Sequence, residues 1–368
     1  MTRQAQTAAG LIDDAVARRV IPGGVLMAGI GAGPPAVLHV AGYAQRDPQA
    51  SRALTADTVF DLASLTKVVA TLPSVLRLVA DDQIGLDEPV CRYLAGFTGT
   101  GKERVTVRQL LTHVSGLPDH RPYDQQHCDP AAIRAAALAE PLVAAPGSVC
   151  SYSDIGFIVL GELCAAVAQC PLDQAAQELV FGPLGMTSTG YCPAAALAGR
   201  IASTEPVGGV AKTGVVHDEN AAALGGVAGH AGLFATAADV ARYAVAWAVP
   251  ADDDGGLAGI GIPRWLRAES LRGQTDVLAR QQPPARRGLG WGLRADRWDN
   301  MGDGWPPSGA GHTGFTGTSV SIDPVSGLWA VLLTNAVHFG RGPEHSAKPL
   351  RTQVHGLIAA SLLGRVVQ

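Results

Sequence analysis

The sequence predicts an α+β fold in which one antiparallel sheet, built from both ends of the chain, is flanked by helices and interrupted by a helical insertion. Strand-like runs occur near the two ends of the 368 residues, at 25–30 and 36–43 and again at 289–293, 316–322 and 328–334. Between residues 80 and 245 the hydrophobic pattern is largely helical, with long loops. Strands from both ends that share one sheet leave the middle of the chain as an inserted subdomain.

The N-terminal elements are predicted as a helix followed by a hairpin. Residues 6–20 have amphipathic helical spacing and end before Pro22-Gly23-Gly24. The strands 25–30 and 36–43 are joined by GAGPP, a turn signal. Pro34 stands where a dinucleotide fingerprint needs its last glycine, and a strand follows instead of a helix, so this turn is not a nucleotide-binding loop.

The remaining elements follow from the same patterns. Residues 64–80 predict a helix that Pro73 would kink, and four further helices are expected at 106–113, 130–139, 154–168 and 236–248. Three short strands lie near the C-terminus, and a helix at 349–363 closes the chain. We therefore expect a single unit, 1–368, with an α/β subdomain formed by 1–63 and 245–368 and a mainly helical subdomain at 64–244. A functional cleft is expected between them.

Composition excludes several functional classes. Hydrophobic residues make up 47% of the chain and charged residues 16%, which is typical of a globular protein. The net charge of −4 gives no nucleic-acid footprint, and no run of 18 uncharged apolar residues predicts a membrane span. Asp13 and Asp14 interrupt the region where a signal peptide would be apolar. The sequence as it stands predicts a cytoplasmic protein, or a periplasmic or secreted one if a signal peptide was removed.

The cysteines and the missing hydrolase motifs narrow the chemistry. The six cysteines form no C-x-x-C pair and no zinc-type spacing with histidine, so we expect free, mostly buried thiols and no metal site. The chain contains no G-x-S-x-G pentapeptide and no H-E-x-x-H motif. A conventional α/β-hydrolase and a zinc hydrolase of that type are therefore excluded.

The first chemical signal is the octapeptide FDLASLTK, at 60–67. Ser64 and Lys67 are three residues apart, so they share one face if a helix begins at Ser64. A serine hydroxyl becomes a nucleophile when a neighbouring group takes its proton. Ser-x-x-Lys alone is a common surface pair, but this lysine lies in an apolar run, where its charge is badly placed unless it has a function.

Two further signals occur later in the chain. Tyr152-Ser153-Asp154 precedes an apolar helix, where Ser153 or Asp154 could equally be a helix N-cap and Tyr152 a packed staple. His312-Thr313-Gly314 lies in a glycine-rich stretch, 311–317, which is either a turn before a hairpin or a place where a ligand lies against the backbone.

Taken in order, Ser-x-x-Lys, Tyr-x-Asp and His-Thr-Gly resemble the motifs of serine β-lactamases and penicillin-binding proteins, in the class C β-lactamase-like branch with DD-carboxypeptidases, D-aminopeptidases and family VIII carboxylesterases. The stretches LLTHVSGLPD, VHDENAAALGGVAGHAGLF and GHTGFTGTS also look like this family, so the resemblance spans nearly the whole chain. It implies a β-lactamase/transpeptidase-like fold, no metal or organic cofactor, and a small-molecule ester, peptide or β-lactam as substrate.

The resemblance also implies roles for individual residues. Ser64 would form an acyl-enzyme, while Lys67 and Tyr152 share the proton transfers. The backbone N–H groups of Ser64 and Phe315 would form the oxyanion hole. The substrate-binding residues would be Asp154, His312, Thr313 and Gly314. A second Lys-Thr-Gly, at 212–214, has no hairpin after it and is rejected as the third motif.

Two residues depart from the family pattern. Asp154 stands where asparagine is commoner, and an ionised carboxylate accepts hydrogen bonds but does not donate them. If Asp154 touches Lys67, it raises the pKa of the lysine, and Tyr152 then carries more of the base role. His312 stands where lysine is commoner, so a substrate carboxylate should be held less firmly at pH 8 than at pH 6.

These departures favour a carboxylesterase acting on small esters or lactones as the first expectation. A DD-carboxypeptidase or D-aminopeptidase is the alternative, followed by a class C-type β-lactamase, and a non-catalytic penicillin-binding protein is the least favoured. Outside the three motifs, His113 and Ser115 are expected to be structural, with His113 able to cap helix carbonyls. His230 is expected to be a turn residue.

Overall fold

A computed structural model of the chain describes residues 3–47, 51–249, 256–275 and 284–364. The α-helices in these ranges are α1 (Arg3–Ala17), α2 (Leu72–Ala80), α3 (Val107–Leu111), α4 (Tyr123–Gln126), α5 (Pro130–Ala139), α6 (Asp154–Ala168), α7 (Leu172–Ala176), α8 (Glu219–Ala223), α9 (Ala237–Ala248), α10 (Arg264–Leu271) and α11 (Lys348–Leu363). The strands are β1 (Gly23–Ile30), β2 (Val37–Arg46), β3 (Ser51–Ala53), β4 (Val59–Asp61), β5 (Gly190–Tyr191), β6 (Pro206–Val207), β7 (Val210–Ala211), β8 (Leu233–Thr236), β9 (Gly292–Leu293), β10 (Ala310–Thr313), β11 (Ser319–Ile322) and β12 (Leu328–Thr334).

The main sheet joins the two ends of the chain, as predicted. Its seven strands run in the order β3-β2-β1-β12-β11-β10-β9, and neighbouring strands are antiparallel. At its centre, Val25 of β1 lies opposite Leu333 of β12, and Leu26 lies opposite Leu332. The predicted α+β fold, with helices flanking an antiparallel sheet, is confirmed.

Helices cover both faces of this sheet. Successive residues of a strand point to opposite faces. Val25 therefore packs in the larger core, which includes Trp247 of α9, whereas Leu26 packs in a second core with Ile12 of α1 and Ile358 of α11. The layers are thus α9, the sheet, and the pair of terminal helices. The proposed division at residues 64 and 245 stays a prediction, and α9, which crosses residue 244, packs against the sheet.

The middle of the chain forms a helical region around the segment Ala63–Ala80. By length and composition this segment could cross a membrane, as could the bent pair Asp154–Ala168 and Leu172–Phe181, but 83% of Ala63–Ala80 is buried inside the protein. Burial of this kind is typical of a core helix. In a three-stranded sheet, β4-β8-β5, strand β4 ends at Asp61, three residues before Ser64.

The predicted helix at 64–80 is built from three kinds of turn. A 3-10 turn at Ala63–Leu65 and a π-helical turn at Lys67–Thr71 precede α2. In the π turn the Leu72 N–H donates to the Lys67 carbonyl, and Pro73 has no N–H to offer the next carbonyl, that of Val68. The hydroxyl of Tyr243 donates to that carbonyl instead. The expected effect of Pro73 is therefore a local change of helical register, supported by a side chain from α9.

Two other details differ from the sequence-based expectation. The strand predicted at 316–322 begins at Ser319, and the start of the glycine-rich stretch belongs to a strand, β10 (Ala310–Thr313). The cysteines are free, as predicted, but they are not mostly buried. Two are buried (Cys150 and Cys164), two are half-buried (Cys91 and Cys170) and two are exposed (Cys128 and Cys192).

Candidate active site

Ser64 lies at the start of the helical segment, in a turn that begins directly after β4. The residue before it, Ala63, has a left-handed backbone with φ of +46°. The side chain of Ser64 lines a cavity of about 540 Å³, together with Tyr152, His312, Thr313, Gly314 and Phe315. Six of the predicted site residues are therefore brought to one cavity from three distant parts of the chain.

Lys67 is fully buried beside Ser64. Its Nζ donates to Ser64 Oγ at 2.9 Å and to the His230 carbonyl at 3.0 Å, and it lies 2.7 Å from a carboxylate oxygen of Asp154. Burial acts to lower the pKa of Lys67, but the Asp154 carboxylate and the Tyr152 phenol outweigh it, and the pKa lies above the ordinary lysine value. Lys67 is therefore an ammonium ion at neutral pH.

Tyr152 and Asp154 are placed by the N-terminus of α6. Ser153 is the N-cap, and its Oγ accepts from the Gly156 N–H at 3.0 Å. The Lys67 ammonium lies 5.0 Å from the centre of the Tyr152 ring. Ser153 is thus the N-cap of α6, as one interpretation of the sequence held. Asp154, the first residue of the same helix, contacts Lys67.

His113 supports this helix start rather than capping carbonyls. Its Nδ1 accepts the Ser153 N–H at 3.0 Å, and its ring centre lies 4.5 Å from that of Tyr152. Burial lowers the pKa of His113 well below its ordinary value, and the charges of Arg287 and Lys67 act in the same direction. The ring is therefore neutral, with its proton on Nε2. His113 is therefore structural, as expected, but it supports Ser153 and Tyr152 instead of capping helix carbonyls.

The His312-Thr313-Gly314 motif ends strand β10 and continues into a tight turn against Ser64. A Cβ on Gly314 would lie 2.3 Å from the Leu62 carbonyl oxygen, so only glycine allows this approach. Phe315 follows with its side chain 61% exposed at the mouth of the cavity, where its ring stacks on His217. The third motif therefore packs directly on the turn that carries Ser64.

The surroundings of His312 disfavour its protonated form, which argues against the expectation that its charge changes between pH 6 and 8. Burial lowers its pKa well below the ordinary histidine value, and the positive charges of Lys67 and Arg287 lower it further. A histidine that stays uncharged across this range cannot supply a titrating contact to a substrate carboxylate.

Sequence reasoning missed the cations of this cavity. Arg287 is 2% exposed, and its guanidinium lies 5.7 Å from the centre of the Tyr152 ring and 4.6 Å from that of the Trp298 ring. It pairs with the buried Asp296 at 3.5 Å. Arg351, on α11, donates to the Gly314 carbonyl at 2.5 Å, and burial lowers its pKa to about 10. The available signal for Arg351 was its helical spacing, which puts it on the same face as Val354 and Ile358.

Other residues singled out in the sequence lie elsewhere. Lys212 donates to the carbonyls of Val216 and His217, and it is not among the residues that line the Ser64 cavity. The ring of His230 pairs with Asp218 at 2.9 Å, while its carbonyl holds Lys67. Within the described ranges, no group of three or more His, Cys, Asp or Glu side chains is arranged to hold a metal ion.

Comparison with known proteins identifies relatives of this chain. A family model described as Beta-lactamase matches residues 8–351. A putative D-alanyl-D-alanine carboxypeptidase of Escherichia coli (strain K12) is 31% identical over 323 residues, covering 77% of this chain and 70% of that protein. A protein of the same description from Salmonella newport (strain SL254) is 31% identical over 351 residues, covering 85% and 77%.

Solved structures share the fold over nearly the whole chain. A penicillin-binding protein homologue from Caulobacter crescentus superposes with a TM-score of 0.76 at 22% identity, covering 98% of each chain. EstCE1, a hydrolase with promiscuous acyltransferase activity, gives 0.75 at 22% identity, covering 97% of this chain and 99% of that one. A class C β-lactamase from Rhodobacter sphaeroides gives 0.74 at 19% identity, covering 97% and 99%. At these identities the likeness concerns the fold.

Proposed function

The chain belongs to the Beta-lactamase family and is a serine hydrolase, and on that premise we propose that Ser64 is the residue it acylates. The supporting observation is the contact of Ser64 Oγ with the Lys67 ammonium, 2.9 Å away, in a cavity that Tyr152 also lines. A serine hydroxyl held by a buried cation, in a cavity that also contains a phenol able to exchange protons, is an arrangement suited to covalent catalysis.

In this proposal Tyr152 moves the protons and Lys67 keeps its charge. Ser64 Oγ attacks the acyl carbon and gives its proton to the Tyr152 oxygen, while the Tyr152 hydroxyl gives its own proton to the leaving oxygen or nitrogen and the bond between that atom and the acyl carbon breaks. Water then attacks the acyl carbon of the acyl-enzyme and gives a proton to the Tyr152 oxygen. The Tyr152 hydroxyl gives its own proton to Ser64 Oγ as the bond between Oγ and the acyl carbon breaks, which releases the acid. The raised pKa of Lys67 supports this division, because an ammonium donates to the reacting oxygen but accepts no proton.

We propose a carboxylate-bearing acyl donor, with peptides that end in D-alanyl-D-alanine as the leading class. Three arginines, Arg287, Arg341 and Arg351, line the cavity, and no aspartate or glutamate is among its described lining residues. Arg287 and Arg351 are buried, and positive charge in a cleft favours an anionic ligand. The description of the 31% identical relatives as putative D-alanyl-D-alanine carboxypeptidases supports the same class. The sequence alone favoured neutral esters, because it did not show that these arginines line the cavity.

A carboxylesterase acting on small esters or lactones is the second candidate. Its support is specific: His312 is neutral, and the Asp154 carboxylate is engaged by Lys67. The positions where the family commonly has a lysine and an asparagine therefore offer neither a cation nor an amide. The fold shared with the hydrolase EstCE1 is compatible with this candidate.

The two candidates are separated by one matched pair of substrates. The purified protein is given an acylated D-alanyl-D-alanine peptide and the same peptide with a C-terminal amide, beside p-nitrophenyl acetate and butyrate and a chromogenic cephalosporin. Preference for the free carboxylate by about tenfold or more in kcat/KM supports the peptidase proposal. Equal rates on both peptides, with faster turnover of the neutral esters, would favour the esterase. Activity that survives in Ser64→Ala would refute both.

A further inference from the structure

We propose that Asp61 is a positioning residue for Ser64: its buried carboxylate holds Ala63 in a left-handed conformation and thereby sets the direction of the Ser64 side chain and N–H. This inference rests on the proposed role of Ser64 as the acylated residue. The motif FDLASLTK contains Asp61, but the sequence gives it no task of its own.

Ala63 has a backbone conformation that alanine rarely adopts. Its φ is +46°, in the region where Cβ crowds the following carbonyl oxygen and where glycine is the usual residue. Strained residues persist only where the surrounding structure holds them, and they concentrate at functional sites. The residue immediately before the proposed nucleophile is therefore held in place by contacts that can be identified.

Both peptide groups of Ala63 are held by side chains. Its N–H donates to Asp61 Oδ1 at 2.8 Å, and its carbonyl accepts from Thr66 Oγ1 at 2.6 Å. The second carboxylate oxygen of Asp61 accepts the His217 N–H at 2.6 Å. Asp61 thus ties the Ser64 turn to the loop that precedes α8.

The task requires a carboxylate. Two N–H groups from different segments point at one side chain, and a carboxylate can accept from both because it has two acceptor oxygens and no hydrogen. Burial raises the pKa of Asp61, and the N–H groups of Ala63 and His217 oppose that effect by stabilising the charge. An asparagine of the same shape would turn its NH₂ group toward one of these N–H donors.

The same turn supports the third motif. The Thr316 hydroxyl donates to the Asp61 carbonyl at 2.7 Å, and the Thr318 hydroxyl donates to the Leu62 carbonyl at 3.0 Å. Two hydrogen bonds from residues just after Phe315 therefore join residues 61–62 to the turn that follows His312-Thr313-Gly314. A backbone rotation at Ala63 would therefore move both the N–H and the hydroxyl of Ser64 relative to this turn.

The test is a double-variant cycle with glycine as the rescue. Asp61→Asn should lower kcat by about 10- to 100-fold, the effect of losing a hydrogen bond to a charged group, with KM within about twofold. Ala63→Gly alone should stay within about threefold of the unchanged protein, because glycine adopts the left-handed region freely. The double variant should recover at least about tenfold over Asp61→Asn, because glycine no longer needs the carboxylate to hold it.

A matched control is Asp239→Asn. Asp239 is also a buried carboxylate with two donors, the Ser188 N–H at 2.7 Å and the Thr189 hydroxyl at 2.9 Å, and it does not line the Ser64 cavity. This variant should lose thermal stability while keeping kcat. A purely structural Asp61 would behave in the same way, and Ala63→Gly would then restore nothing.

The outcomes separate this inference from the function on which it rests. An Asp61→Asn variant with more than about a third of the original kcat, or a double variant as slow as Asp61→Asn, overturns the positioning role while Ser64→Ala stays inactive. Activity in Ser64→Ala overturns the function itself. If Asp61→Asn does not fold, the double variant decides: kcat within about tenfold of Ala63→Gly supports the proposal, and a folded but inactive protein overturns it.

Discussion

The ammonium of Lys67 lies 2.7 Å from the carboxylate of Asp154, with the lysine side chain fully buried and the aspartate 24% exposed. The two residues come from different helical segments, and their pairing places a permanent positive charge against Ser64 Oγ. A charge held this way stabilises negative charge that develops on the serine oxygen. In the proposed mechanism, the exchange of protons is then left to Tyr152.

Replacing Asp154 with asparagine should remove the charge that maintains the Lys67 ammonium. Burial would then dominate and lower the pKa of Lys67. We expect a loss of about 1–3 kcal/mol of stability at pH 7, since a buried charge loses its partner. The measurement is the free energy of unfolding of both proteins between pH 7 and 9.5.

The sign of the pH dependence follows from the two pKa directions. In the unchanged protein the pKa of Lys67 is raised on folding, so its contribution is complete below the ordinary lysine pKa and is lost only as pH rises through the folded value. In the variant the pKa is lowered on folding, and stability should rise with pH toward the ordinary value. The difference in the free energy of unfolding between the two proteins should therefore become smaller toward pH 9.5. If this difference in free energy did not change with pH, Asp154 would not be the group that raises the pKa of Lys67.

The KM for a carboxylate-bearing substrate should be flat between pH 5.5 and 8.5. The pKa of His312 is well below its ordinary value, so its ring stays neutral throughout this range, while arginine stays charged. Initial rates at several substrate concentrations across the range give the answer. A several-fold rise of KM centred near pH 6.5 would show that His312 is protonated in the free enzyme.

Arg287→Gln should act on substrates with a free carboxylate. We expect kcat/KM for the D-alanyl-D-alanine peptide to fall about 10- to 100-fold, the effect of losing a hydrogen bond or ion pair to a charged group, with little change for its C-terminal amide. The control is Arg297→Gln. Arg297 lies on the same Trp298 ring at 4.5 Å but does not line the cavity. An equal fall of kcat/KM for the two peptides would mean that Arg287 supports the structure of the cavity and does not bind the substrate carboxylate.

Tyr243→Phe should destabilise the protein by about 1–3 kcal/mol, because it leaves the buried Val68 carbonyl without its donor. Pro73→Ala returns an N–H one helical position after Leu72, within reach of that carbonyl in a π turn. The double variant should therefore lose less stability than the two single variants together, measured by denaturant unfolding. Simple additivity would mean that Pro73 is not the reason why Val68 needs the tyrosine.

The sequence by itself determined several helices, the strands at the two ends of the chain and the three motifs. Runs of apolar residues defined β1 and β12, and helical spacing defined α5, α6 and α9 within one residue of their ends. These patterns are local, since each depends on a few neighbouring residues. The order Ser64, Lys67, Tyr152, His312 was readable for the same reason, because each motif is a short, contiguous string.

Only the tertiary structure decided the electrostatics of the site. The neutral state of His312, the ammonium state of Lys67 and the presence of Arg287 depend on burial and on charges brought together from separate segments. No short window of sequence contains those neighbours. Charge states respond to distance and to exclusion of water, and the folded chain alone defines both.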